Sequence, residues 1–134
     1  MKIGGEESTM AVINAIWIGS SLAESGSVES AIAVLETASA HARKVGQNHQ
    51  LQMRMALMKA YARAGRKGEA LALADVMALK ADEDRVKAAG VAMEEFLSLS
   101  ATHRFLGDPE KARFYGEAAV GIAEKILPPG GWAL

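Results

Sequence analysis

Leu57-Met58-Lys59-Ala60-Tyr61-Ala62-Arg63-Ala64-Gly65-Arg66-Lys67-Gly68-Glu69-Ala70 is the stretch on which the fold is decided. It holds two helix-forming runs separated by Gly65, a residue that can take the left-handed turn at a helix C-terminus without steric cost. Large residues stand eight and four positions before the glycine, Leu57 and Tyr61, and a small one stands five after it, Ala70. The small residue lets two helices approach closely, and the large ones fill the groove between them. The same spacing recurs on both sides. Gly26 has Ile18, Leu22 and Ala31; Gly107 has Leu99, His103 and Ala112. Seven residues further on come Ala38, Met77 and Ala119.

Working outward, the breakers divide the chain into six predicted helices. They run over about Ser8–Ser25, Ser27–Lys44, His49–Ala64, Lys67–Ala81, then from Asp82-Glu83-Asp84 to Leu106, and from Pro109 to Leu127. Asn48 is expected to cap the third helix. The acidic run 82–84 is expected at the N-terminus of the fifth, where the helix dipole favours negative charge. Asp108-Pro109 is an N-cap followed by proline at the first helical position. Gly90 would mark a kink or close contact inside the fifth helix. In the second helix Val28, Ile32, Leu35, Ala38, Ala42 and Val45 recur at three and four, one buried face. No stretch has a strand signal. The expected fold is all-α: three antiparallel helical hairpins in a single domain, 1–134, with units at about 8–45, 48–81 and 84–127 and a C-terminal tail, 128–134.

Composition supports this and excludes much else. Of 134 residues 26 are alanine, three are proline and none is cysteine. Disulfide frameworks, cysteine zinc sites and thiol catalysis are therefore excluded. A net charge of −1 gives no overall basic field for nucleic acid or an anionic membrane. Met10 to Ala23 is too short to span a bilayer, and Lys2 is offset by Glu6 and Glu7, a poor start for a signal peptide. The expected location is cytoplasmic.

The repeated pattern resembles the tetratricopeptide repeat family, most closely in the middle unit at Leu57, Tyr61, Gly65, Glu69 and Ala70; Gly19 adds a family position in the first. The glycines are 39 and 42 residues apart, longer than the family's usual period of about 34. The early tryptophan is replaced by Ala15, Arg54 and Phe96, and Asp82 stands where each unit usually closes on proline. The chain thus resembles a divergent, long-helix member; a plain six-helix bundle is the other reading. The resemblance implies a right-handed superhelix whose concave groove is lined by the first helix of each hairpin. Carried over, the groove positions are Ile13, Ile16, Ser20 and Ala23; Gln52, Met55, Lys59, Ala62 and Arg63; and Glu94, Leu97, Ala101 and Arg104.

Gln52, Lys59 and Arg63 form a polar stripe along an otherwise apolar helix. It is either a solvated face or a cationic stripe beside adaptable methionines, suited to a peptide with acidic and apolar residues. Met53, Met55 and Met58 can equally be core filler. Trp132, after Pro128-Pro129-Gly130-Gly131, either covers the open end of the last hairpin or docks into a second copy, making a homodimer. The basic pairs Arg43-Lys44 and Arg66-Lys67 suit helix ends or solubility.

Nothing in the sequence points to catalysis. His41 has Thr37 rather than a ligand four residues before it, and no His-Glu-x-x-His or Glu-x-x-His run exists. His103 occupies the repeat's tyrosine position, so packing explains it. Glu94 and Glu95 are adjacent and point to different sides of a helix. There is no phosphate-binding loop and no nucleophile elbow. The expected function is a non-catalytic module, adaptor or chaperone-like, without metal or cofactor, holding a partner's peptide or helix. The alternatives are a self-assembling structural module or a small-molecule sensor with a pocket between the first, third and fifth helices.

Overall fold

The computed structural model describes residues 5–42 and 46–128. The tail with Trp132 and the pair Arg43-Lys44 lie outside the described residues. Within them the fold is all helical: α1 (Gly5–Glu24), α2 (Val28–Ala42), α3 (Gln47–Arg63), α4 (Lys67–Lys87), α5 (Ala89–Phe105) and α6 (Pro109–Ile126). No described residue is in a strand.

The three glycine turns share one geometry. Gly26, Gly65 and Gly107 take positive φ of 95°, 76° and 80°. In each, the residue after the glycine donates its N–H to the carbonyl four before the glycine: Ser27 to Leu22 (2.8 Å), Arg66 to Tyr61 (2.9 Å) and Asp108 to His103 (2.9 Å). The glycine's own N–H goes to Ala23, Ala62 and Arg104, 3.2 Å each. This pair of hydrogen bonds satisfies two of the carbonyls left without partners at a helix end. The next helix then begins at once, with Ala31, Ala70 and Ala112 donating to Ser27, Arg66 and Asp108. Asp108 also caps α6 with its side chain, accepting from the Lys111 N–H at 3.1 Å, and Pro109 follows it.

The chain divides into two compact units, Met1–Ala70 and Leu71–Leu134. In the first, α1 packs on α2, and α3 packs on both. Its core is Val12, Ala31, Ile32, Leu35, Leu51, Met53, Met58 and Ala60. Gly19 is essential to the α1–α2 contact: a Cβ there would lie 2.5 Å from Leu35 Cγ, and Leu35 is fully buried. In the second unit α5 packs on α6. Phe96, Leu99, Ala92 and Ala119 are buried, and Tyr115 stacks on Phe96 and His103. The stack accounts for His103, whose pKa burial lowers.

Several sequence expectations need correction. α4 continues through Asp82-Glu83-Asp84 to Lys87, and only Ala88 separates it from α5. The acidic run therefore lies within α4, not at the start of α5. No glycine or proline interrupts 81–87, Lys80 pairs with Asp84 one turn on, and Arg85 and Lys87 complement the helix's negative end. Gly90 accordingly falls in the first turn of α5, where no kink is required. α3 begins earlier than expected, with Gly46 rather than Asn48 at the N-cap and no side-chain cap bond. Ile18 does not fill a groove as Leu57 and Leu99 do: it is 53% exposed, while those two are buried.

Candidate functional site

In the first unit α1 and α3 leave a hollow of about 250 Å³ lined by Ile13, Ile16, Trp17, Asn48, His49 and Gln52. Its position follows from helix periodicity. Val12, Gly19 and Ala23 mark the buried side of α1. Ile13, Ile16 and Trp17 lie beside that stripe, spaced so that they are neighbours on one face. From α3, Asn48, His49 and Gln52 present polar groups at the same three-and-four spacing. The result is an apolar wall facing a polar one, the usual chemistry of a recognition pocket. Trp17 is 70% exposed at its rim, and Met10 and Ile18 extend exposed apolar surface along α1.

Of the sequence-expected groove residues, Ile13, Ile16 and Gln52 line this hollow. Ser20 and Lys59 are half-buried in the same unit. Met55 is buried at 4% exposure, in the core with Met53 and Met58. Ala23 and Ala62 are buried as well. Arg63 has an exposed side chain, and its guanidinium donates to the Ala23 carbonyl at 3.3 Å. It thereby places positive charge at the C-terminal end of α1, where the dipole favours it. In the second unit Glu94, Leu97, Ala101 and Arg104 follow one another at helical spacing on a side of α5 away from its buried residues Ala92, Phe96, Leu99 and Thr102. Leu97 and Arg104 are exposed, and Arg104 stands over the Phe105 ring at 5.7 Å.

Trp17, Asn48 and His49 were not among the sequence candidates. The signal was present: Trp17 is four residues after Ile13 and next to Ile16, and the α3 pair sits three and four before Gln52. The repeat's family positions fall on other residues of the same helices.

Two charged clusters lie elsewhere. In the first unit Arg66 gathers Glu69 (2.7 Å), Glu29 (3.6 Å) and Glu36 (3.9 Å), and its guanidinium lies 4.9 Å from the centre of the Tyr61 ring. The Tyr61 hydroxyl donates to Glu36 at 2.6 Å. Burial, followed by that bond, pushes the Tyr61 pKa up to about 12. In the second unit Lys80 pairs with Asp84 at 2.5 Å and stands 3.2 Å from Glu95 Oε2. Glu95 is fully buried, and neither of its oxygens has hydrogen-bond geometry with a partner. Burial pushes its pKa up to about 7, with the neighbouring Asp84 carboxylate adding to the rise and Lys80 opposing it. Asp84 is lowered, first by its bond to Lys80.

Among the described residues no group of His, Asp or Glu is placed to hold a metal ion, and no helix is long and apolar enough to cross a membrane. Compared with known proteins, the chain matches no protein-family model, no curated protein and no solved structure.

Proposed function

We propose that the chain is a non-catalytic protein-interaction module, adaptor or chaperone-like, that holds a short segment of a partner protein at the α1–α3 hollow. The observation that carries this reading is the exposure of Trp17 at the rim of a pocket walled by Ile13 and Ile16. Large exposed aromatic residues beside a concave apolar wall are where binding energy concentrates in protein interfaces. Gln52, Asn48 and His49 supply the polar groups that fix orientation. A hollow of this size takes one or two side chains, so the partner segment inserts an apolar anchor and lies along the exposed Met10, Trp17 and Ile18. The three identical glycine turns support a tetratricopeptide-like register, in which first helices carry the binding residues.

A randomised peptide library displayed on phage tests the site. The parent chain is expected to enrich sequences with a recurring apolar anchor, and Ile16→Glu and Trp17→Ala are expected to lose that enrichment while keeping the parent's circular dichroism. Enrichment of the same sequences by both folded variants would move the site elsewhere. No enrichment by the parent would count against peptide binding.

A further inference from the structure

α4 carries a second surface with a different chemistry. One stripe of this 21-residue helix is buried: Ala70, Ala74, Met77 and Ala81. A second stripe faces solvent: Ala72, Val76, Leu79, Glu83 and Val86. Its spacings of four, three, four and three average 3.5 residues, the period that keeps a seam facing a partner helix in a coiled coil. The stripe runs about 21 Å along the helix axis at 1.5 Å per residue. Val76, Leu79 and Val86 are 62%, 71% and 90% exposed. Large apolar side chains repeated at seam spacing on solvent are not explained by the fold, whose core lies on the other stripe.

The charges flanking the stripe say what kind of helix fits it. Asp75 and Asp82 each precede a seam position, and Glu83 occupies one. All three are exposed, and none forms an ion pair among the described residues. On the other flank Lys80 is already committed to Asp84 and Glu95, which leaves Lys87. A second copy of α4 suits this face poorly. Parallel pairing would set Glu83 against Glu83, and antiparallel pairing about Leu79 would set Asp75 against Glu83. Like charges at such positions oppose pairing and are a common device for choosing partners. The acidic flank is equally unsuited to an anionic lipid surface, which recruits basic helices.

We infer that the outer face of α4 docks an amphipathic helix of another protein, with apolar residues at seam spacing and Lys or Arg along the flank that meets Asp75, Asp82 and Glu83. The test uses the full chain and two labelled 21-residue synthetic helices, read by fluorescence anisotropy. Both have leucine at the seam positions; one has lysine at all flanking positions and the other glutamate. The lysine helix is expected to bind at least ten-fold tighter than the glutamate helix. Leu79→Glu, at an exposed position remote from the core stripe, is expected to weaken it ten-fold or more with unchanged circular dichroism. Because that substitution adds negative charge, non-specific attraction would strengthen binding instead. Asp82→Lys is expected to narrow the preference between the two helices several-fold. Equal binding of both helices, or full binding by Leu79→Glu, overturns the inference. So does a dimeric mass in sedimentation that Leu79→Glu returns to monomer, which would give the face to a second copy.

Discussion

The α1–α2 and α5–α6 hairpins leave their first helix by the same glycine turn, yet they are pressed together by different means. In the first, the glycine lies on the leading helix, and Gly19 receives the branched end of a buried leucine, Leu35. In the second it lies on the returning helix: Gly116 faces Ser100, whose hydroxyl donates to the Ala112 carbonyl at 2.6 Å. A Cβ at Gly116 would come within 3.3 Å of that hydroxyl, tight but adjustable, whereas at Gly19 it would fall inside a side chain with no room to retreat. A shared turn fixes where a hairpin reverses; it does not fix how its helices interlock. The first unit closes on shape, while the second admits a buried carboxylate, Glu95.

The largest effect should come from the apolar crossing. Leu35→Ala is expected to destabilise the chain by about 2–5 kcal/mol, as large-to-small core changes do. Gly19→Ala alone is expected to cost about 1–3 kcal/mol from overpacking. With Leu35→Ala already present, the same glycine change should become neutral or stabilising, because the added methyl enters the space that leucine vacated. Chemical denaturation of the four chains gives the coupling; simple additivity would mean that the two residues do not interlock.

Glu95 tests the other side of the comparison. Its pKa rises from 4.5 to about 7, so between those values the folded chain binds more protons than the unfolded one. Stability from this group is therefore fullest below pH 4.5 and falls as pH rises towards 7. Glu95→Gln puts a neutral amide of nearly the same shape in its place and removes the buried charge. It is expected to be the more stable chain at pH 8, by an amount on the order of 1–3 kcal/mol, with the gain shrinking towards zero near pH 4.5. Thermal melts at both pH values check this, and a gain independent of pH would place the cause outside ionisation.

Smaller effects separate turn from crossing. Gly65→Ala is expected to cost about 1–2 kcal/mol, because nothing crowds its Cβ and only the positive φ resists. Gly116→Ala should stay within about 1 kcal/mol, since better helix propensity offsets the contact with Ser100. The least effect on stability is expected from Glu36→Gln, read by ultraviolet titration of tyrosine. Losing that carboxylate should bring Tyr61 down from about 12 towards its ordinary value. An unchanged titration would mean that burial alone holds it there.

The parts of this fold that were legible in sequence are those set by local chemistry. Gly26, Gly65 and Gly107 announced three turns, and Asp108-Pro109 announced the start of α6, because backbone conformation and capping are properties of a few adjacent residues. The extension of α4 past Ala81 was not legible: acidic residues at 82–84 suit a helix start, and what carries the helix through them is an unbroken run to 87, the Lys80–Asp84 pair and the basic Arg85 and Lys87 at its end. Exposure was harder still. Ile18 occupies the position that Leu57 and Leu99 fill in the other units, but what surrounds a side chain depends on residues distant in sequence. For the candidate site, Ile16 and Gln52 are positions that the family resemblance implies, and only Gln52 has separate support from its spacing with Lys59 and Arg63. Trp17 has no assigned role in the repeat pattern, so its place at the rim is set only by its spacing from Ile13 and Ile16.

The positive φ shared by the three turn glycines has a practical corollary. A left-handed backbone is the natural conformation of a D-amino acid, and Gly26, Gly65 and Gly107 all hold positive φ. D-alanine at these positions would keep the native turn while narrowing the conformations open to the unfolded chain. With no cysteine and 26 alanines, the protein can be assembled from synthetic segments joined at temporary cysteines and then desulfurised to alanine. Mirror-image residues could therefore be placed at all three turns of an otherwise native chain.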